Sequence, residues 1–190
     1  MVKPIADMQE FAVEKINQKI LKANAGSAIL VMLPGESYKQ IASCIVKTLA
    51  GLKKSGMLIT FNNSYDSYIK NPENNDFYCI DMVSRSLGVG DSNVPNVKMV
   101  SSPSNLTELG IIFSQISNRL SADSNKFVVF DSISTLNLYN SQEISLRFMH
   151  FLVNKIRLQK MRGIFLVPKD SLGETAISKM SQFFDAIEKV

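Results

Sequence analysis

The chain has 190 residues, of which 45% are hydrophobic and 20% charged, a composition typical of one globular domain with a sizeable core. No apolar run approaches the ~20 residues of a membrane span, and the opening "MVKPIADMQEF" lacks the layout of a signal peptide, so we expect a cytoplasmic protein without a membrane partner. The net charge of +4 comes from dispersed Lys and Arg residues, which does not favour nucleic-acid binding.

The first half of the chain alternates helix and strand patterns. Residues 5–23 carry apolar residues at helical spacing, and residues 28–33 form an apolar run typical of a buried strand. The next helix should place Cys44 and Leu52 on its apolar face and end before Gly56. Strands are predicted at "MLITF", "FYCID" and "VKMV". Cys44 and Cys79 are interpreted as small buried hydrophobic residues.

The second half has clearer periodicity. Ser104 or Ser102 is predicted to cap a helix that continues to about Leu120, and "KFVVFD" is predicted to be a strand with both faces covered. A helix is expected over residues 141–161, with this inward face: Ile144, Phe148, Phe151, Leu152 and Ile156. The strand "IFLV", a helix near 172–184 and a short strand near "DAIEKV" complete the chain. His150 lies inside a helical pattern, so we expect no catalytic role for it.

This alternation predicts the fold class. Strands separated by helices indicate right-handed βαβ units, and therefore an α/β three-layer sandwich with a mainly parallel sheet and helices on both faces. No Pro/Gly-rich linker divides the chain, so residues 1–190 are expected to form a single domain. Ligands of such sheets lie beyond the carboxyl ends of the strands.

The segment "LPGESYKQ" has the layout of a phosphate-binding loop, because it follows a strand and precedes a helix. On the template G-x-x-x-x-G-K-[ST], Lys39 matches the lysine, whereas Leu33 and Tyr38 replace the glycines and Gln40 replaces the hydroxyl residue. Gly35 falls between the fixed positions. A tyrosine at the second glycine would carry ~1–2 kcal/mol of strain if φ were positive there.

A second motif is "FVVFDSISTL", in which Asp131 ends an apolar strand as a Walker B aspartate does. This motif, the helix after it and "IFLV" resemble the C-terminal half of RecA-like ATPases of the KaiC/RadA type. In that family the string DS-x-[ST]-x-L follows Walker B. "SNLTELGIIFSQISNRL" is similar to the family's preceding helix. The resemblance runs from about residue 27 to the C-terminus and implies a RecA-like P-loop NTPase fold.

The resemblance also assigns site residues. It implies that Lys39 and Asp131 correspond to the P-loop lysine and the Walker B aspartate. The family usually has a glutamate pair after the second strand, where this chain has Asn62 and Asn63. An amide cannot accept a proton, so general-base help is lost. The nearby Asp66 could substitute only if its loop folded back, and the same holds for Glu73.

Other positions of the resemblance carry less information. Ser132 and Ser134 fit the string after Walker B and equally suit a turn or a helix cap. Lys169 follows the strand "IFLVP", where a phosphate sensor could sit, although a surface lysine explains it as well.

Three functional hypotheses follow. The first is a RecA-like domain without catalysis that acts as a regulatory or scaffolding module through a protein partner. Its nucleotide site would be vestigial and formed by Gly35, Lys39, Gln40 and Asp131, with no catalytic or metal-binding residue and no cofactor. The second is a divergent ATPase that still binds ATP and Mg²⁺. The third is a nucleic-acid-binding relative of the recombinases, suggested by "KIRLQKMR". A homodimer and a hexamer both stay open.

Overall fold

The computed structural model describes residues 5–51, 55–69, 76–120 and 126–190, without side-chain detail for residues 5–12 and 174. The helices are α1 (Ile5–Lys22), α2 (Tyr38–Gly51), α3 (Leu106–Arg119), α4 (Ile133–Tyr139), α5 (Gln142–Leu158) and α6 (Glu174–Ser181). The strands are β1 (Ala28–Leu33), β2 (Gly56–Thr60), β3 (Phe77–Asp81), β4 (Val97–Met99), β5 (Phe127–Asp131), β6 (Arg162–Pro168) and β7 (Ala186–Lys189).

Within the described residues, the strands form one seven-stranded sheet in the order β4-β3-β2-β5-β6-β1-β7. All of its neighbouring strands pair in parallel. From β2 the chain proceeds to β3 and β4 on one side, whereas from β5 it proceeds to β6 on the other. The strand order therefore reverses between β2 and β5, and this switch point is where ligands of open α/β sheets bind.

Helices cover both faces of the sheet. One core contains residues of α1 and α2, and the other contains residues of α3, α4, α5 and α6. Strands buried on both sides need apolar residues at consecutive positions, which explains why every residue of β1 is buried. The predicted α/β class with helices on both faces of a parallel sheet is thus confirmed.

Several local predictions were wrong. Asn105 caps α3, because its Oδ1 accepts a hydrogen bond from the Glu108 backbone N–H at 3.1 Å, whereas the hydroxyls of Ser102 and Ser104 lie 2.9 Å from each other. The helix α4 after β5 was not predicted, whereas Ser132 caps this helix, which is one of the roles expected for it. On α5, Ile144 and Phe151 do not face inward, because the sheet side of this helix is already filled by other residues.

Two predictions on α2 and β2 were also wrong. Cys44 is exposed, whereas Cys79 is buried as predicted. The helix α2 ends at Gly51, before Gly56 as predicted, whereas β2 begins at Gly56, one residue earlier than the predicted "MLITF". Leu52, predicted for the apolar face of α2, lies outside the described residues.

Gly56 is required because an aromatic ring covers it. A Cβ at this position would lie 2.6 Å from ring atoms of Phe127, closer than real Cβ atoms approach such atoms. We expect Gly56→Ala to lower the free energy of unfolding by about 1–3 kcal/mol, the range for overpacking a core. Gly35→Ala is the control, because nothing lies within 4 Å of its added Cβ. Equal unfolding free energies of the two variants, measured by urea denaturation, would contradict this packing argument.

Candidate functional site

Asp131 lies at the switch point of the sheet. It is the last residue of β5 and is paired in register with Thr60, the last residue of β2. The Phe61 backbone N–H donates to the Asp131 carbonyl oxygen at 2.6 Å and continues the pairing beyond the strand end. The carboxylate is thus held at the position where the fold class binds ligands.

Two tyrosines enclose this carboxylate. Tyr38 donates its hydroxyl to Oδ1 of Asp131, and Tyr68 donates its hydroxyl to Oδ2. Asp131 has no exposed surface, and Tyr38 and Tyr68 are also buried. Each carboxylate oxygen therefore has a protein donor, as a buried charge requires.

Burial sets the protonation of all three groups. Burial raises the pKa of Asp131, and the hydrogen bonds from Tyr38 and Tyr68 offset part of this rise. Burial, followed by the charge of Asp131, also raises the pKa of Tyr38 and of Tyr68. Both hydroxyls therefore keep their protons and act as donors.

Tyr68 is brought to Asp131 by the loop that follows β2. Early in this loop, the Asn63 backbone carbonyl accepts from the Thr60 hydroxyl at 2.6 Å. Asn63 Nδ2 also donates to the Tyr68 hydroxyl at 3.2 Å, which holds the ring in place. The loop folds back towards the end of β5, and the side chain that it places against Asp131 is that of Tyr68. The exposed Asp66 instead accepts from Ser64.

The positions of the expected glutamate pair have structural partners. Asn62 Oδ1 accepts from the Thr135 hydroxyl at 3.0 Å, so it joins the loop to α4. Asn63 supports Tyr68 as described above. Glu73 lies outside the described residues. Sequence patterns give no signal for Tyr68, because "NNSYDSY" has the composition of an ordinary turn.

The phosphate-loop segment is a short helical turn. Pro34 follows β1, Gly35–Ser37 form a 3-10 turn, and Tyr38 begins α2 with φ −51°. The Tyr38 backbone N–H donates to the Gly35 carbonyl oxygen. The strain considered for Tyr38 therefore does not arise, because its φ is helical and negative. Gly35 is exposed.

The structure does not bring the four predicted site residues together. Lys39 and Gln40 are exposed on α2 and line a surface depression of about 500 Å³ with Lys47. Asp131 is fully buried and contacts Tyr38 instead. Tyr38, which stands at the second glycine of the phosphate-loop template, contacts Asp131, whereas Lys39, which matches the template lysine, does not.

These residues do not fit a Mg²⁺-bound nucleotide. A magnesium ligand needs free carboxylate lone pairs close to phosphate oxygens, whereas both oxygens of Asp131 accept from tyrosine hydroxyls. Across the described residues, no group of three or more His, Cys, Asp or Glu side chains could hold a metal ion.

A second buried carboxylate, Asp81 at the end of β3, also has all of its hydrogen-bond partners within the fold. Its Oδ1 accepts from the backbone N–H groups of Val83 and Ser84 at 2.8 and 2.9 Å. Its Oδ2 accepts from the Tyr65 N–H at 2.9 Å and from the Ser84 hydroxyl at 2.8 Å. Asp81 is fully buried and orders the turns after β2 and β3.

The other residues that the resemblance singled out, Ser132, Ser134 and Lys169, make local contacts within the fold. Ser132 caps α4, accepting from the Thr135 N–H at 3.3 Å, and its hydroxyl lies 3.0 Å from that of Ser134. The peptide bond between Asp131 and Ser132 is cis. Lys169 is exposed, and its backbone N–H donates to the Leu33 carbonyl oxygen at 2.6 Å.

The basic stretch "KIRLQKMR" has structural contacts as well. Arg157 donates to the Phe183 carbonyl oxygen at 2.9 Å, and Arg162 Nε donates to the Ala23 carbonyl oxygen at 2.7 Å. Two of its guanidinium groups therefore link chain segments within the fold. Across the part of the chain described, no helix combines the length and apolar character needed to cross a membrane.

Fold and site together define a class: a parallel α/β protein whose switch-point carboxylate is enclosed by its own tyrosines. The chain belongs to the family of unknown function DUF7504, which matches residues 64–189. Tyr68 and Asp131 lie within the matched segment. No curated protein matches the chain.

Removing the hydroxyl of either tyrosine that donates to Asp131 should destabilise the fold. Tyr68→Phe leaves Oδ2 of Asp131 without its tyrosine donor, and Tyr38→Phe does the same for Oδ1. We expect each to lower the free energy of unfolding by about 1.5–3 kcal/mol, the range for hydrogen bonds to charged groups. The control is Tyr139→Phe, a tyrosine with 49% exposure, for which we expect a change within about 0.5 kcal/mol. Urea unfolding that gave three equal values would contradict this role.

Asp131 should also make stability depend on pH. Because burial raises its pKa in the folded state, its contribution is fully present below the unfolded pKa of ~3.9 and lost as pH rises through the folded value. Asp131→Asn cannot titrate. The unfolding free energy of wild type minus that of Asp131→Asn should therefore fall as pH rises from about 4 through the raised folded pKa of Asp131. Urea denaturation across this range measures it, and a constant or rising difference would contradict the assignment.

Proposed function

We propose that this chain is a RecA-like domain of the KaiC/RadA type whose nucleotide site is filled by its own side chains, and that it acts as a regulatory or scaffolding module through contacts with another protein. The observation that carries the proposal is the enclosure of Asp131 by Tyr38 and Tyr68. The "DSISTL" string after β5 and the parallel sheet support the family assignment.

The two tyrosines come from the two segments to which the resemblance assigns phosphate binding and the general base. Tyr38 stands at the second glycine of the phosphate-loop template, where the backbone must approach phosphate without a side chain. Tyr68 comes from the loop after β2, where the family usually has its glutamate pair. The ring of Tyr38 thus stands where the backbone would contact phosphate, and the ring of Tyr68 stands in the segment that would carry the general base.

The proposal also rests on what the remaining polar groups do. Asn62 and Asn63 are amides engaged with Thr135 and Tyr68, and neither can take a proton from an attacking water. Lys39, the residue that matches the template, is exposed on α2. A divergent ATPase would require both tyrosines to leave Asp131 and expose a buried carboxylate.

Titration calorimetry with Mg·ATP tests the proposal. We expect no binding tighter than a Kd of about 100 µM, because the Asp131 oxygens and the loop space are occupied. Lys39→Ala is the matched variant, since it removes the template lysine from an exposed position without touching Asp131. Binding tighter than that limit in wild type, abolished by Lys39→Ala, would overturn the proposal in favour of a nucleotide-binding protein.

A further inference from the structure

An open groove runs between α3 and α5, on the face of the sheet opposite α2. Its volume is about 720 Å³. Its apolar lining includes Leu106, Ile111, Ile144, Phe148 and Phe151. At one end, Gln159 Nε2 donates to Asn118 Oδ1 at 3.2 Å and ties the two helices together.

The exposed face of α5 has the pattern of a helix that packs against another helix. Ile144, Phe151 and Leu158 are 52%, 39% and 75% exposed, and they follow each other at intervals of seven residues. Seven residues are about two helical turns, so the three side chains form a stripe ~21 Å long. Ile111 of α3, 55% exposed, adds to the apolar surface of the groove. Such a stripe differs from the scattered apolar residues of an ordinary surface.

The charges beside this stripe are positive. Arg147 and Lys155 line the groove, and its lining among the described residues has no carboxylate. Lys155 Nζ lies 5.8 Å above the Phe151 ring. Arg147 pairs with Glu143 at 2.5 Å, but both side chains are more than 70% exposed, so a partner's carboxylate can compete for the guanidinium. The groove is complementary to an apolar surface with acidic flanks.

A second copy of this chain is disfavoured as the occupant. If α5 packed antiparallel against its own copy about a two-fold axis at Phe151, Ile144 would meet Leu158 of the other chain. The same register would place Arg147 opposite Lys155 twice, which juxtaposes like charges.

We infer that the groove between α3 and α5 binds an acidic amphipathic helix of a partner protein. The helix would place apolar residues at i, i+3, i+4 and i+7 on the stripe and carboxylates beside Arg147 and Lys155. This inference deepens the proposed function and rests on its protein-interaction part, for which it names the surface and the chemistry of the partner.

Two labelled synthetic helical peptides of about 18 residues, long enough to cover the stripe, test this inference. Both carry leucines at the helical positions given above, and they differ only in having glutamate or lysine at the flanking positions. We expect the glutamate peptide to bind the full chain with a Kd on the order of 10–100 µM by fluorescence anisotropy, and the lysine peptide to bind at least about tenfold more weakly.

Variants of the chain locate the binding. Ile144→Ser should weaken the glutamate peptide about tenfold, the double variant Arg147→Glu/Lys155→Glu should reverse the preference between the peptides, and Leu138→Ser should change nothing. Leu138 is the control because it is 81% exposed and does not line the groove. Circular dichroism checks that every variant remains folded.

Three outcomes would overturn the inference: no binding of the glutamate peptide, equal binding of the two peptides, or an unchanged preference in the charge-reversed variant. A dimer seen by sedimentation and lost in Ile144→Ser would assign the groove to a second copy instead. If neither the glutamate peptide nor Mg·ATP binds, the docking surface is rejected and the proposed occupied nucleotide site is not. If the glutamate peptide binds and Mg·ATP also binds in a Lys39-dependent way, the proposed occupied nucleotide site is rejected and the docking surface is kept.

Discussion

A carboxylate buried at the carboxyl end of β5 must be given hydrogen-bond donors, and the structure meets this requirement with the hydroxyls of Tyr38 and Tyr68. The two donors come from different parts of the chain, the start of α2 and the loop after β2. Their bonds to Asp131 therefore join β1, β2 and β5 at the edge where a ligand would otherwise enter. The position of α2 and the path of the loop both depend on this interaction.

The same constraint explains why both carboxylate oxygens of Asp131 are engaged by hydroxyls of the protein itself. A catalytic carboxylate keeps lone pairs free for a metal or a proton, whereas Asp131 uses both oxygens within the fold. Asp81 follows the same principle at the end of β3, with backbone N–H groups of Tyr65, Val83 and Ser84 as donors. Two buried strand-end carboxylates thus order the loops around them.

Asp131 with its two tyrosine donors and the α3–α5 groove lie in different layers of the molecule. Tyr38 and Tyr68 belong to the core under α1 and α2, whereas the groove helices cover the other core. The central sheet separates the two, so a partner helix on the groove would not touch the tyrosines. On the groove side, α5 exposes a stripe of three apolar residues, Ile144, Phe151 and Leu158.

The sequence by itself determined the order of the strands and of the helices other than α4, because a strand covered on both faces leaves a continuous apolar run, as in β1 and β5, and a helix leaves a 3.6-residue period. It also located Asp131 at a strand end. Only the tertiary structure decided what surrounds that aspartate, since the hydroxyl of Tyr68 reaches it across 63 positions of chain. Periodicity likewise could not separate the buried from the exposed apolar residues of α5, because a helix offers the same spacing to the sheet and to an external groove.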